Sequence, residues 1–163
     1  MKNKGNDGTG NIPERDLWET NQKLWDGLDK QYNFTFDCCA NNKNNKCYLF
    51  ASDFGNPLIQ KHILLVPQLM LWMNPPFSKA YEMFKHFFNM CGKGIAIYRC
   101  DNMETKVWQE IILKNADWVF IPKGRICYEG MPGKGSRFPS ALIGKNVEPI
   151  KNMEGVTLFL KNE

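Results

Sequence analysis

Four consecutive residues, Asn74-Pro75-Pro76-Phe77, offer a specific chemistry. An aromatic exocyclic amine such as that of adenine is a poor nucleophile, because its lone pair is delocalised into the ring. Two acceptors that hold its two hydrogens draw the nitrogen toward tetrahedral geometry and free that lone pair. The Asn74 side-chain oxygen and the Pro75 carbonyl are candidates for the pair, since proline has a carbonyl but no competing donor. Phe77 could stack on the base, which must leave the duplex before a protein atom can reach its amine. The plainer reading of the same residues is a Pro-Pro turn with Phe77 in the core.

The flanking residues say where such a turn would sit. Leu69-Met70-Leu71-Trp72-Met73 is a short apolar run that reads as a buried strand. The two prolines stop it, having no N–H for a ladder and forcing the residue before each to be extended. Ser78 can cap a helix over Lys79–Cys91, in which Tyr81, Phe84, Phe88 and Cys91 recur at helical spacing. Strand, turn and helix together place the tetrapeptide at a strand's carboxyl end, where open α/β sheets bind ligands.

Other candidates are weaker taken singly. Asp37 ends an alternating stretch, Phe34–Cys39, and could meet the amino group or ribose of a nucleoside cofactor, or be a solvated turn residue. Asp53-Phe54 could clamp an adenine by acceptor and ring. The glycine-rich Gly130–Ser136 fails as a phosphate loop, because Gly135 follows Lys134 where Ser or Thr is required and no helical pattern comes after. A mobile loop touching a backbone suits it better. Lys123, Arg125, Lys134 and Arg137, with Tyr128 and Phe138 interleaved, form a candidate phosphate-contacting patch or a solvated face. Lys79 and Arg99 are the next candidates for nucleic acid. His62 and His86 stand alone and receive no role.

Bulk properties set the frame. A chain of 163 residues with 43% hydrophobic and 13% aromatic content fits one globular domain, assigned to 14–163 behind a disordered tail at 1–13. No apolar run is long enough to span a bilayer and the N-terminus is polar, so a cytoplasmic location is expected. A net charge of +4 permits a polyanionic partner without requiring one. The six cysteines show no C-x-x-C pairing, so no metal site is expected.

Along the chain, Thr20 can cap a helix to about Tyr32. Ser52–Gln68 reads as a long loop with a short strand at His62–Val66. Gly94–Arg99 is a strand, Met103–Asn115 a helix and Asp117–Ile121 a strand. Arg125–Tyr128, Ser140–Ile143 and Val156–Leu160 are further strands. Strands alternating with helices, then strands in succession, predict an α/β fold with a mainly parallel, mixed sheet flanked by helices.

Several separated patches together resemble one family, the phage-encoded, Dam-like DNA adenine-N6 methyltransferases. They are Trp18-Glu19-Thr20, Phe36-Asp37-x-x-Ala40 with Asn44-x-Lys46-Cys47, and Trp72-x-Asn74-Pro75-Pro76-Phe77. Arg99-x-Asp101 follows ahead of Thr105 and Trp108, then Gly124-Arg125-Ile126 and Phe138-Pro139-Ser140-Ala141-Leu142. The resemblance implies a Rossmann-like methyltransferase fold that binds S-adenosylmethionine and methylates N6 of a flipped adenine in double-stranded DNA. It implies that Trp18, Thr20, Asp37, Cys39, Ala40 and Asp53 bind the cofactor and that Asn74, Pro75, Pro76 and Phe77 are catalytic. It also implies a host cytoplasm as the setting. Three departures stand out: Cys38-Cys39-Ala40-Asn41 replaces the glycines usual in methyltransferases at large, Asn21 stands for a proline, and Phe77 for a tyrosine. The same element also occurs in enzymes that methylate RNA adenine or a protein glutamine amide, and a non-catalytic binding protein is the third reading.

Overall fold

The computed structural model describes residues 16–66, 68–90, 92–130 and 138–160. Seven strands form one sheet in the order β3-β2-β4-β5-β8-β6-β9. Here β2 is Phe36–Asp37, β3 Leu49–Phe50, β4 Leu71–Met73, β5 Gly94–Arg99, β6 Trp118–Pro122, β8 Ser140–Lys145 and β9 Gly155–Phe159. A separate two-stranded ribbon pairs β1 (Glu19–Thr20) with β7 (Tyr128–Glu129). The helices are α1 (Gln22–Tyr32), α2 (Pro57–Leu65), α3 (Ala80–Met90) and α4 (Leu113–Asn115), the last continuing a π-helical stretch, Val107–Ile112.

Side-chain alternation along the strands divides the core. Leu71, Met73, Ala96, Tyr98, Val119, Ala141 and Ile143 pack on one face with Ile63 of α2, Phe84 and Phe87 of α3 and Trp108 of the π-helical stretch. Trp72, Ile95, Ile97, Trp118, Phe120 and Leu142 face the other way, onto Trp25 and Leu28 of α1. Period-two burial on both faces makes a helix–sheet–helix sandwich.

The expected mixed sheet is found, with half of its pairings parallel rather than most. β3–β2, β2–β4 and β4–β5 are parallel, but β5–β8, β8–β6 and β6–β9 are antiparallel. The reason is β8, which enters between β5 and β6 and runs against both. Other expectations shift locally. Residues 62–66 mostly belong to helix α2, started by the Asn56 side chain accepting from Leu58 N–H and by Pro57 in the first turn. Thr20 is in β1, and Asn21 caps α1 instead, its Oδ1 accepting from the N–H groups of Lys23 and Leu24 at 3.0 and 3.3 Å. Asn21 has φ of −57°, within proline's range, so asparagine keeps the backbone a proline would impose and adds a cap. Ser78 does not cap α3. It lies inside a 3₁₀ turn, Phe77–Lys79, and bonds Asp16. The expected tail at 1–13 and the loop residues 131–137, with Lys134 and Arg137, lie outside the described residues.

Candidate active site

The carboxyl ends of β2, β3 and β4 open onto one cleft. Its lining includes Trp18, Thr20, Asp37, Cys39, Ala40 and Asp53, together with Asn74, Pro76 and Lys79. Candidates spread from residue 18 to residue 79 therefore meet in a single place. Lys79 is exposed and lines this cleft with Asp16 and Pro76.

Asn74 follows β4 directly, half-buried, with Pro75 buried behind it. Its Nδ2 donates to the Trp18 carbonyl at 3.1 Å. A carbonyl only accepts, so the amide's nitrogen must be the atom facing Trp18, and Oδ1 is turned the other way. Among the described residues no hydrogen bond engages Oδ1. Phe77 is half-buried at the centre of an aromatic cluster. Trp18, Phe138 and Tyr128 meet it edge-on, at centroid distances of 5.9, 5.5 and 6.4 Å, and Tyr98 is tilted to it at 6.0 Å. The plainer reading, Phe77 as core, is thus half right: the ring is held by the core without being enclosed in it.

Asp37 is not a solvated turn residue. It is 3% exposed, and its carboxylate accepts the N–H of Cys39 at 3.3 Å and of Lys46 at 3.0 Å. It therefore shapes the loop after β2 that closes one wall of the cleft. Burial pushes its carboxyl up to about 6, against a lesser downward pull from the two backbone bonds and the Lys46 charge. Burial, with Asp37 adding to it, also holds the Cys39 thiol well above its usual range, so Cys39 contributes a neutral group. Asp53 is exposed in the cleft, whereas Phe54 is 1% exposed and packed into the core, edge-on to His86.

Two basic candidates are already engaged. Arg99 is 7% exposed; its Nε and one terminal nitrogen donate to the two Asp101 oxygens at 2.7 and 2.6 Å. Its guanidinium lies 4.8 Å from the Phe138 ring centroid. That is the geometry of a group fixing the aromatic cluster, not of a phosphate contact. Lys123 pairs with Glu154 at 2.7 Å on the surface. Lys123 and Arg125 border a second cavity, against α1 and including Lys23.

Sequence reasoning missed Asp16, which bonds the turn after the prolines. Its place two residues before Trp18, where the first shared patch begins, does not reveal the partner sixty-two positions away. Sequence reasoning also missed β1 and β3, too short at two residues to show alternation, and set the strand at Arg125–Tyr128 where the structure has β7 at Tyr128–Glu129.

The chain is thus an α/β protein with an acceptor-bearing turn at the carboxyl end of β4. The model of the DNA N-6-adenine-methyltransferase (Dam) family matches residues 8–153, and the chain belongs to that family. No curated protein and no solved structure matches the chain.

Proposed function

We propose that this protein transfers the methyl group of S-adenosylmethionine to N6 of an adenine flipped out of double-stranded DNA. The observation that carries the reading is Asn74, whose amide is anchored by nitrogen at the carboxyl edge of the sheet and presents its oxygen unengaged. Asn74 Oδ1 and the Pro75 carbonyl accept the two amine hydrogens, and Phe77 stacks on the base. Binding and orientation account for the rate without a covalent intermediate.

The cleft suits the cofactor chemically. Asp16, Glu19, Asp37 and Asp53 line it against Lys46 and Lys79, an excess of carboxylates that favours a ligand bearing sulfonium and ammonium charges over a phosphate backbone. Trp18, Thr20, Asp37, Cys39, Ala40 and Asp53 would hold it there. When bound, the cofactor supplies an electrophilic methyl group. Asp37 acts by holding the backbone of Cys39 and Lys46 in place, and Cys39 by filling the wall as a neutral thiol.

DNA then falls to the residues outside the cleft. Lys123 and Arg125, with Lys134 and Arg137 from the same stretch, hold phosphates, while Arg99 positions Phe138 and through it Phe77. No helix of the described residues is long and apolar enough to cross a membrane, and no group of three or more His, Cys, Asp and Glu side chains among them is placed to hold a metal ion. The test is incubation with tritiated S-adenosylmethionine and unmethylated DNA, RNA or protein, followed by digestion. Labelled N6-methyladenine from DNA is expected. Label in RNA or in a glutamine amide would reassign the acceptor, and no label at all would leave a binding protein.

A further inference from the structure

We infer that Asp16 is a positioning residue for methyl transfer, clamping the segment that orients Asn74 onto the turn that bears it. The inference rests on the proposed reaction at this site. Asp16 reaches across to the 3₁₀ turn, where its Oδ1 accepts the Ser78 N–H at 3.0 Å and its Oδ2 accepts the Ser78 hydroxyl. A carboxylate that holds both donors of one residue fixes position and angle together. Two residues on, the Trp18 carbonyl takes Asn74 Nδ2. The Trp18 ring lies on Phe77 edge-on and stacks with Phe138 at 6.1 Å. Glu19 and Thr20 then pair with Glu129 and Tyr128 in the β1–β7 ribbon.

Residues 16–20 thus form a strap across the catalytic turn, tied at one end by Asp16 and at the other by the ribbon. Both groups the reaction needs from this turn depend on the strap. Asn74 is oriented by its main chain and Phe77 is packed by its ring. Without Asp16, the strap keeps its ribbon end and the packing of the Trp18 ring but loses its charged tie to the turn, and the carbonyl that selects the Asn74 orientation is held less firmly. Buried Trp18 Nε1, which has no hydrogen-bond partner among the described residues, adds nothing to hold the strap down. Asp16 also lines the cleft, so a direct cofactor contact is the competing role to exclude.

The experiment compares Asp16→Ala, Asp16→Asn, Ser78→Ala and the Asp16→Ala/Ser78→Ala double variant with the wild type. Turnover is measured on DNA, affinity for S-adenosylhomocysteine by calorimetry, and amide hydrogen exchange without substrate. Asp16→Ala should lower kcat roughly tenfold, the size of one charge-assisted hydrogen bond, with cofactor affinity within about twofold. Asp16→Asn keeps one acceptor oxygen and should recover part of the loss. Ser78→Ala should cost less, about threefold, and nothing further in the Asp16→Ala background. Exchange at Ser78 and over residues 18–20 should rise together in Asp16→Ala.

Weakened cofactor affinity with unchanged kcat would make Asp16 a ligand and overturn the clamp, as would additive losses in the double variant. If Asp16→Ala does not fold, Ser78→Ala decides alone: unchanged kcat and exchange would overturn the proposal. A wild type inert on DNA would defeat the reading of the reaction, and exchange would then decide the clamp, with unaltered protection in Asp16→Ala ruling it out.

Discussion

The two halves of the sheet are built to different standards. From β5 to β9 the strands are long and antiparallel: β5 and β8 stay in register from Gly94↔Lys145 to Arg99↔Ser140, and β6 and β9 from Trp118↔Phe159 to Pro122↔Gly155. From β4 to β3 the strands are parallel and two or three residues long. Yet every residue assigned to cofactor or catalysis is carried by the short half, or by the strap laid across it. Short parallel strands end early and together, so their loops converge on one cleft, while the long ladders hold the sheet in shape. The contrast suggests that substitutions in the short half change chemistry at little cost in stability and those in the long half do the reverse.

The largest test of this contrast is Asn74→Ala. Removing the one side-chain acceptor of the turn should lower methyl transfer a hundredfold or more, ~3 kcal/mol of barrier, with unfolding temperature and cofactor affinity close to wild type. A variant that methylates at near wild-type rate would overturn the mechanism. One that unfolds would break the contrast.

Asp37 sharpens it, because here the short half does cost stability. Its ordinary carboxyl value of 3.8 rises to about 6 in the folded protein. Folding therefore favours the protonated form, and the native state loses stability as pH rises from about 4 to about 6, then levels off. The gap corresponds to at most ~3 kcal/mol. Urea unfolding of the protein without cofactor, at pH 4 to 7, should show the wild type falling relative to Asp37→Ala across that window. A constant difference between them would show that Asp37 is not buried as described. Asp37→Ala should also weaken S-adenosylhomocysteine binding, since the loop after β2 loses both backbone anchors.

In the long half the matching probe is Gly144. A methyl group added there would lie 2.1 Å from the Trp118 ring, which packs over the glycine on the adjacent strand. Gly144→Ala should destabilise by about 1–3 kcal/mol, read as a lower urea midpoint, while folded enzyme keeps its kcat. Lost kcat at full folding would mean that strain in the antiparallel half reaches the site.

How much was legible follows the same division. β5, β6 and β8 declared themselves because long, largely buried strands leave long apolar runs, and β9, although mostly exposed at the sheet edge, through its β-branched and aromatic residues. The turn Asn74–Phe77 was legible because prolines dictate backbone locally. Helix α2 was not, since Leu58, Leu64 and Leu65 are exposed and erase the amphipathic period, although Asn56-Pro57 is a start signal. The clamp from Asp16 to Ser78 spans sixty-two positions, and no local pattern encodes such a pairing. Arg99 was a candidate for nucleic acid because sequence shows its charge and the nearby Asp101 but not the carboxylate folded back onto the guanidinium.

The smallest expected effect concerns DNA, beyond the edge of either half. The carboxyl end of β6 lies at the same edge of the sheet as that of β5, since β8 runs antiparallel to both. The residues that follow β6, Lys123 and Arg125, are exposed there and border the cavity against α1. A phosphate contact contributes about −0.9 to the slope of log affinity against log salt. Arg125→Ala and Lys123→Ala should each flatten that slope by up to about 0.9. Lys134→Ala with Arg137→Ala should flatten it by up to roughly 2, again without altering cofactor affinity. Fluorescence titration of a labelled duplex at several salt concentrations measures all three. If none changes the slope, this stretch is a solvated face, and DNA is held from another side of the cleft.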